Sequence, residues 1–104
     1  MERPRTIIGP GSIPRFPRGT RFRFDATRKN WMILAPERVL MPDEIAVEVL
    51  KLVDGARSVD AIADELAARF GAPRDQVGAD VITMLQDLAD KTVLEDARGA
   101  GTAG

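Results

Sequence analysis

Arg21-Phe22-Arg23-Phe24-Asp25, then Trp31-Met32-Ile33-Leu34-Ala35, then Arg38-Val39-Leu40-Met41-Pro42 is the stretch from which the fold follows. In the first run charged and aromatic residues alternate, which puts Phe22 and Phe24 on one face of an extended chain and Arg21 and Arg23 on the other. The second run is apolar on both faces and rich in strand-favouring residues, so it reads as a central strand joined to the first by a short polar hairpin. Pro36 and Glu37 make a turn, and the brief third segment is ended by Pro42, which has no N–H to give a ladder. Three antiparallel strands are predicted, the third at the sheet edge.

Beyond Pro42 the apolar period changes from two to about 3.6. Asp43 is placed to cap a first helix with the stripe Ala46, Val49, Leu50 and Val53, and Gly55 is read as its left-handed stop. Ser58 caps a second, with Val59, Ile62, Ala63, Leu66 and Phe70 inward and Gly71 closing it. Pro73 suits the first position of a third, with Asp75 at the positive end of its dipole and Val77, Val81, Met84, Leu85 and Leu88 on its inner face. Val93 and Leu94 return as a short extended piece. Helices this short do not stand alone in water, so all three must pack on the sheet. The fold class is therefore α+β, winged-helix-like, with a three-stranded antiparallel sheet followed by a three-helix bundle.

The flanks differ. Residues 1–17 contain Pro4, Gly9, Pro10, Gly11, Pro14 and Pro17, a composition that resists helix and sheet and reads as a flexible arm or linker. Residues 97–104 end in Gly-Ala-Gly-Thr-Ala-Gly and read as a disordered tail, leaving 18–96 as the folded, peptide-binding domain.

At 104 residues the chain is about one small domain, and 44% hydrophobic with 30% charged residues is an ordinary soluble composition. No run approaches the roughly 20 apolar residues that span a bilayer, and no secretory signal is visible, so a cytoplasmic protein with no membrane partner is expected. Cys, His and Tyr are all absent. That removes disulfides, iron–sulfur clusters, thiolate zinc sites, thiol nucleophiles and the commonest general base. The expectation is no metal, no cofactor, no catalytic residue and no enzyme.

Net charge is −1, but residues 1–38 hold nine basic and three acidic groups while the remainder holds six basic and thirteen acidic. Either a basic sheet faces an acidic ligand or the two halves of one domain attract each other, and the second is the simpler reading.

Three functions fit this layout. A winged-helix nucleic-acid-binding domain would use the third helix, but that helix carries Asp75, Asp80, Asp87 and Asp90 against Arg74, which repels phosphate. Peptide capture would use the edge segment Arg38, Val39, Leu40 and Met41, whose ladder groups can accept an added strand, with the third helix as the other wall of a groove. Ile82, off the centre of that helix's stripe, is then a groove residue, whereas Val81, Met84 and Leu85 taken singly read as core. A non-catalytic scaffold or a fragment of a larger enzyme is the third reading.

Particular residues go further than pattern. Arg21-Phe22-Arg23-Phe24-Asp25, Trp31 with Leu34-Ala35-Pro36-Glu37-Arg38, Glu44, Asp54-Gly55, Ser58-Val59-Asp60-Ala61-Ile62, and Asp80-Val81 with Leu85-Gln86-Asp87-Leu88 together resemble the PqqD family. The likeness covers about 17–95 and lies in the order and spacing of these elements. It implies a peptide chaperone of pyrroloquinoline quinone biosynthesis that binds the ribosomal precursor PqqA and presents it to PqqE, a radical SAM enzyme that holds the cluster itself. It further implies that the peptide adds beside the third strand against the third helix, which maps onto Arg38, Val39, Leu40, Met41, Val81, Ile82 and Leu85. The basic first third suits the acidic character of such precursors, and the family's occasional fusion behind PqqC suits a linker-like arm. One departure stands out: where the family commonly has Gly after the third helix, this chain has Lys91-Thr92.

Overall fold

The structure, a computed structural model, describes residues 6–98. Its elements are β1 (Pro14–Arg15), β2 (Arg21–Asp25), β3 (Asn30–Ala35), β4 (Arg38–Leu40), α1 (Glu44–Leu50), α2 (Val59–Phe70), α3 (Arg74–Asp90) and β5 (Glu95–Asp96). The sheet β2-β3-β4 is antiparallel with β3 in the centre, as its two-faced apolarity requires. Phe22 faces Ile33, Phe24 faces Trp31, Ile33 faces Leu40 and Ala35 faces Arg38. Opposed residues share a face, so Phe22, Phe24, Trp31, Ile33, Ala35, Arg38 and Leu40 lie on one side of the sheet. Arg21, Arg23, Met32, Leu34 and Val39 lie on the other. Phe22 stacks on both Phe16 and Trp31, while Phe24 meets Trp31 edge-on and stays largely exposed.

The capping signals act where the sequence places them. Asp43 accepts from Ala46 N–H at 2.8 Å, Ser58 accepts from Ala61 N–H at 3.1 Å, and Gly71 closes α2 at φ 61°. Ile33, Leu50, Val59, Ile62, Leu85 and Val93 are almost wholly enclosed and form the centre of one core between sheet and helices.

Four local readings are corrected. α1 stops at Leu50 and not at Gly55; Gly55, at φ 78°, instead serves a turn in which Asp54 Oδ1 accepts from the N–H groups of Ala56 and Arg57. Phe70, the last residue of α2, points away from the core at the helix end. Pro73 is the residue before α3 and not its first. Arg38–Leu40 is paired, whereas Met41 lies past the strand.

The flanks are corrected more strongly. Over residues 6–17 the chain is packed where the composition suggested a free arm. Ile8 is 4% exposed within the core, and Pro14 pairs with Asp96 in a two-stranded ladder, β1 with β5. The physical reason is that this segment offers carbonyls where α2 has orphan donors. Asp60 N–H donates to Pro10 C=O at 3.0 Å and Val59 N–H to Ser12 C=O at 2.8 Å, so proline's missing donor costs nothing there. Gln86 of α3 fastens the start of the segment, accepting from Ile8 N–H and donating to Thr6 C=O, each at 2.8 Å. Ala97 and Arg98, expected in the tail, donate to Ile13 C=O and to the Asp96 carboxylate and Ser12 Oγ. Residues 1–5 and 99–104, which complete the expected arm and tail, lie outside the described residues.

After α3 the chain does adopt a left-handed residue, and it is Thr92, at φ 62°. Thr92 N–H donates to Ala89 C=O at 2.9 Å and Val93 N–H to Leu88 C=O at 3.1 Å. These two bonds, with buried Val93 against Leu88, are a Schellman ending, in which glycine is the usual residue at the left-handed position.

Candidate functional site

The register fixes which backbone groups face outward at the sheet edge. Ala35 and Arg38 close a two-residue loop and exchange hydrogen bonds, so in the antiparallel alternation Leu34 and Val39 do not, and Ile33 and Leu40 again do. Val39 N–H and C=O therefore point away from β3. Strand β4 has no second neighbour among the described residues, so those two groups are presented to solvent on a strand without Lys or internal Pro to blunt it. Val39 and Met41 are exposed at 55% and 53%, Arg38 is exposed and Leu40 is half-buried against the core.

The expected α3 wall divides. Ile82 is half-buried and accessible, whereas Val81 and Leu85, at 2% and 0% exposure, belong to the core. What the sequence reading missed is a cavity of about 1040 Å³ between α1, the end of α2, the first half of α3 and the β2–β3 hairpin. Its lining includes Trp31 of β3 and Pro42, two residues past the edge strand, with Ile45, Phe70, Val77 and Met84. Ile45 and Phe70 are large apolar residues left open at its rim. For Ile45 the signal was in the sequence, since it sits off the buried stripe of α1, where an apolar residue has no packing role; Phe70 continues the stripe of α2 and is left open only because the helix ends there. Val81 is the single predicted site residue that also lines this cavity.

The basic residues after residue 38 pair with acids of the same part of the chain. Arg57 pairs with Asp54 and Glu65, Arg69 with Glu48 and Glu65, Arg74 with Asp60 and Asp64, and Lys91 with Asp87. Each of these cations is thus taken up by the acidic part of the chain, which keeps its excess of carboxylates. Arg15–Glu95 joins the basic first part to the acidic remainder, and among the described residues Arg18, Arg21, Arg23, Lys29 and Arg38 have no ion pair. The sheet keeps its positive field, and the acidic α3 beside it is no surface for phosphate.

Asp96 is the strongest electrostatic feature away from this edge. Burial opposes its charge, but Arg98 through side chain and backbone, Ile13 N–H and the Ser12 hydroxyl outweigh that and hold the carboxyl well below the usual carboxylate range. Its role is to tie β5 to the residues before β1. No helix among the described residues is long and apolar enough to cross a membrane.

A three-stranded antiparallel sheet with a bare edge strand, followed by three helices that enclose a largely apolar cavity, defines a small α+β domain. Its relatives agree. The sequence model of PqqD, coenzyme PQQ synthesis protein D, matches residues 30–94. A PqqA binding protein of Rhodopseudomonas palustris is 63% identical over 87 residues, covering 84% of this chain and 85% of that protein. The bifunctional coenzyme PQQ synthesis protein C/D of Methylorubrum extorquens is 46% identical over 90 residues, 86% of this chain and 24% of the relative. The solution NMR structure of the PqqD truncation of Methylobacterium extorquens PqqCD, a stand-alone recognition element for ribosomally synthesized and post-translationally modified peptides, matches with a TM-score of 0.74. Its identity is 46%, over 86% of this chain and 96% of that one. The chain belongs to the PqqD family.

Proposed function

We propose that this protein binds the precursor peptide PqqA as an added strand along β4 and holds it for the radical SAM enzyme PqqE, with no catalytic step of its own. The observation that carries the reading is the outward Val39 N–H and C=O on a bare edge, in a chain 63% identical to a protein named for binding PqqA. Backbone bonds alone are insufficient, since each gives about 0.5–1.5 kcal/mol net while ordering each peptide residue costs about 1–2. Apolar anchors supply the surplus at about 1.5–3 kcal/mol per large side chain buried, and the cavity that Pro42 helps to line is where a peptide leaving the edge strand finds room for them.

The test is a titration of the isotope-labelled protein with synthetic PqqA. The expected result is saturable binding at about micromolar affinity, near −8 kcal/mol, with the largest amide shifts at Val39 and Met41. Shifts confined to the Arg21–Lys29 hairpin, with Val39 unmoved, sink edge addition. Delivery is tested by adding PqqE to the saturated complex: a ternary species on gel filtration is expected, and release of the peptide into solution refutes it.

A further inference from the structure

Arg38 lies in the first position of β4 and its side chain is on the same face of the sheet as that of Leu40. A guest residue that exchanges hydrogen bonds with Val39 puts its two chain neighbours opposite Arg38 and Leu40, and their side chains emerge on that same face. Opposed side chains in such pairs have Cβ atoms about 4.5–5.5 Å apart, so each guest neighbour meets one protein side chain directly. One neighbour meets a half-buried leucine and the other meets a guanidinium.

That guanidinium has company. Arg38 and Arg18 line one cleft of about 310 Å³ at the turn end of β4, together with Thr20, Thr92 and Glu37. Neither arginine has an ion pair, although both stand near Glu37, whereas the cations on the helices each have a carboxylate. Two guanidinium groups and one carboxylate share this mouth, so it keeps an excess of positive charge that no ion pair among the described residues takes up.

On the reading that the guest adds along β4, we infer that Arg18 and Arg38 are a carboxylate subsite that sets the register of the peptide. The recognised segment carries an Asp or Glu two positions from an apolar residue, the acid opposite Arg38 and the apolar side chain opposite Leu40. Backbone bonding is blind to sequence and repeats every two residues, so without such a mark the guest could slide. An acid fixed at the closed end and an apolar residue on Leu40 allow one alignment.

The experiment titrates the labelled protein with synthetic PqqA and with peptides in which each Asp or Glu is changed singly to Asn or Gln, using wild type, Arg38→Gln and Arg18→Gln. One peptide substitution is expected to weaken binding to wild type about five-fold, and the same substitution less than about two-fold in Arg38→Gln. Val39 shifts in every case. If Val39 shifts but no acid is coupled to Arg38 or Arg18, the subsite is refuted while edge addition stands. If Val39 moves with no peptide, edge addition fails and the register argument falls with it. Both substitutions are on exposed or cleft-lining residues, so folding is checked by an unchanged amide spectrum away from the cleft.

Discussion

Replacing Val39 by proline separates the guest's hydrogen bonds from the host's. In the free domain the loss is small: Val39 N–H points outward, its side chain is 55% exposed, and an edge position is where a strand tolerates proline. Some of the cost returns through a stiffer unfolded chain, so the change in stability is expected within about 1 kcal/mol. In the complex the guest carbonyl loses its donor and meets a pyrrolidine ring. A missing bond of this kind, with its acceptor shut from water, costs about 1–3 kcal/mol, which is roughly five-fold to a hundred-fold in affinity. Leu40→Pro is the control with the opposite outcome. It removes the donor to Ile33 C=O, on a residue with no exposed surface, and truncates a half-buried side chain, for a loss of about 2–4 kcal/mol. Melting temperature and calorimetric titration of both variants decide the matter. Val39→Pro should melt near wild type and bind weakly, and Leu40→Pro should melt at least about 8 °C lower. Full-strength binding by Val39→Pro, or an equal fall in melting temperature for both, refutes the assignment of outward groups.

Two further outcomes concern the frame. Thr92→Gly is expected to raise stability by about 1 kcal/mol, because a β-branched residue at φ 62° costs about 1–2 kcal/mol that glycine does not; a melting temperature unchanged or lowered in thermal unfolding counts against it. Asp96, whose carboxyl is held below its ordinary range when folded, contributes stability that is fully present above about pH 4 and is lost as pH falls below it. Asp96→Asn should therefore be less stable than wild type at pH 7 and show a shallower loss between about pH 4 and 2 in denaturant titrations, and parallel curves for the two proteins exclude the ion pair as the cause.

The fold was legible where residue pattern and backbone need coincide. Alternation in Arg21–Asp25, the two-faced apolar run of β3, and the caps Asp43, Ser58 and Gly71 each state a local geometry that nothing distant has to complete. The segment 6–17 was misread because proline and glycine argue against helix and ladder without arguing against packing. Its carbonyls are held by first-turn donors of α2, some 50 residues further on, and single residues such as Ile8 carry no period to announce them. At the site, the edge strand was legible because Pro36 and Pro42 bound it on both sides. The cavity was not, since it needs three helices in place, and Val81 and Leu85, which taken singly read as core and are core, entered the expected site through the family resemblance. The departure at Lys91-Thr92 was visible as a missing glycine, and the structure shows the left-handed turn made anyway.

The short ladder between Pro14 and Asp96 makes the polypeptide topologically close to a ring. A linker across that junction should let the ring be reopened elsewhere, for example in the exposed turn 26–29, giving a circular permutant whose new ends flank β2 and β3 while β4 keeps its place. By the same geometry a pull on the chain beyond residue 98 loads the Asp96–Arg98 clasp first, and a pull from before residue 6 loads the Gln86 bonds to Thr6 and Ile8, each before it reaches β4.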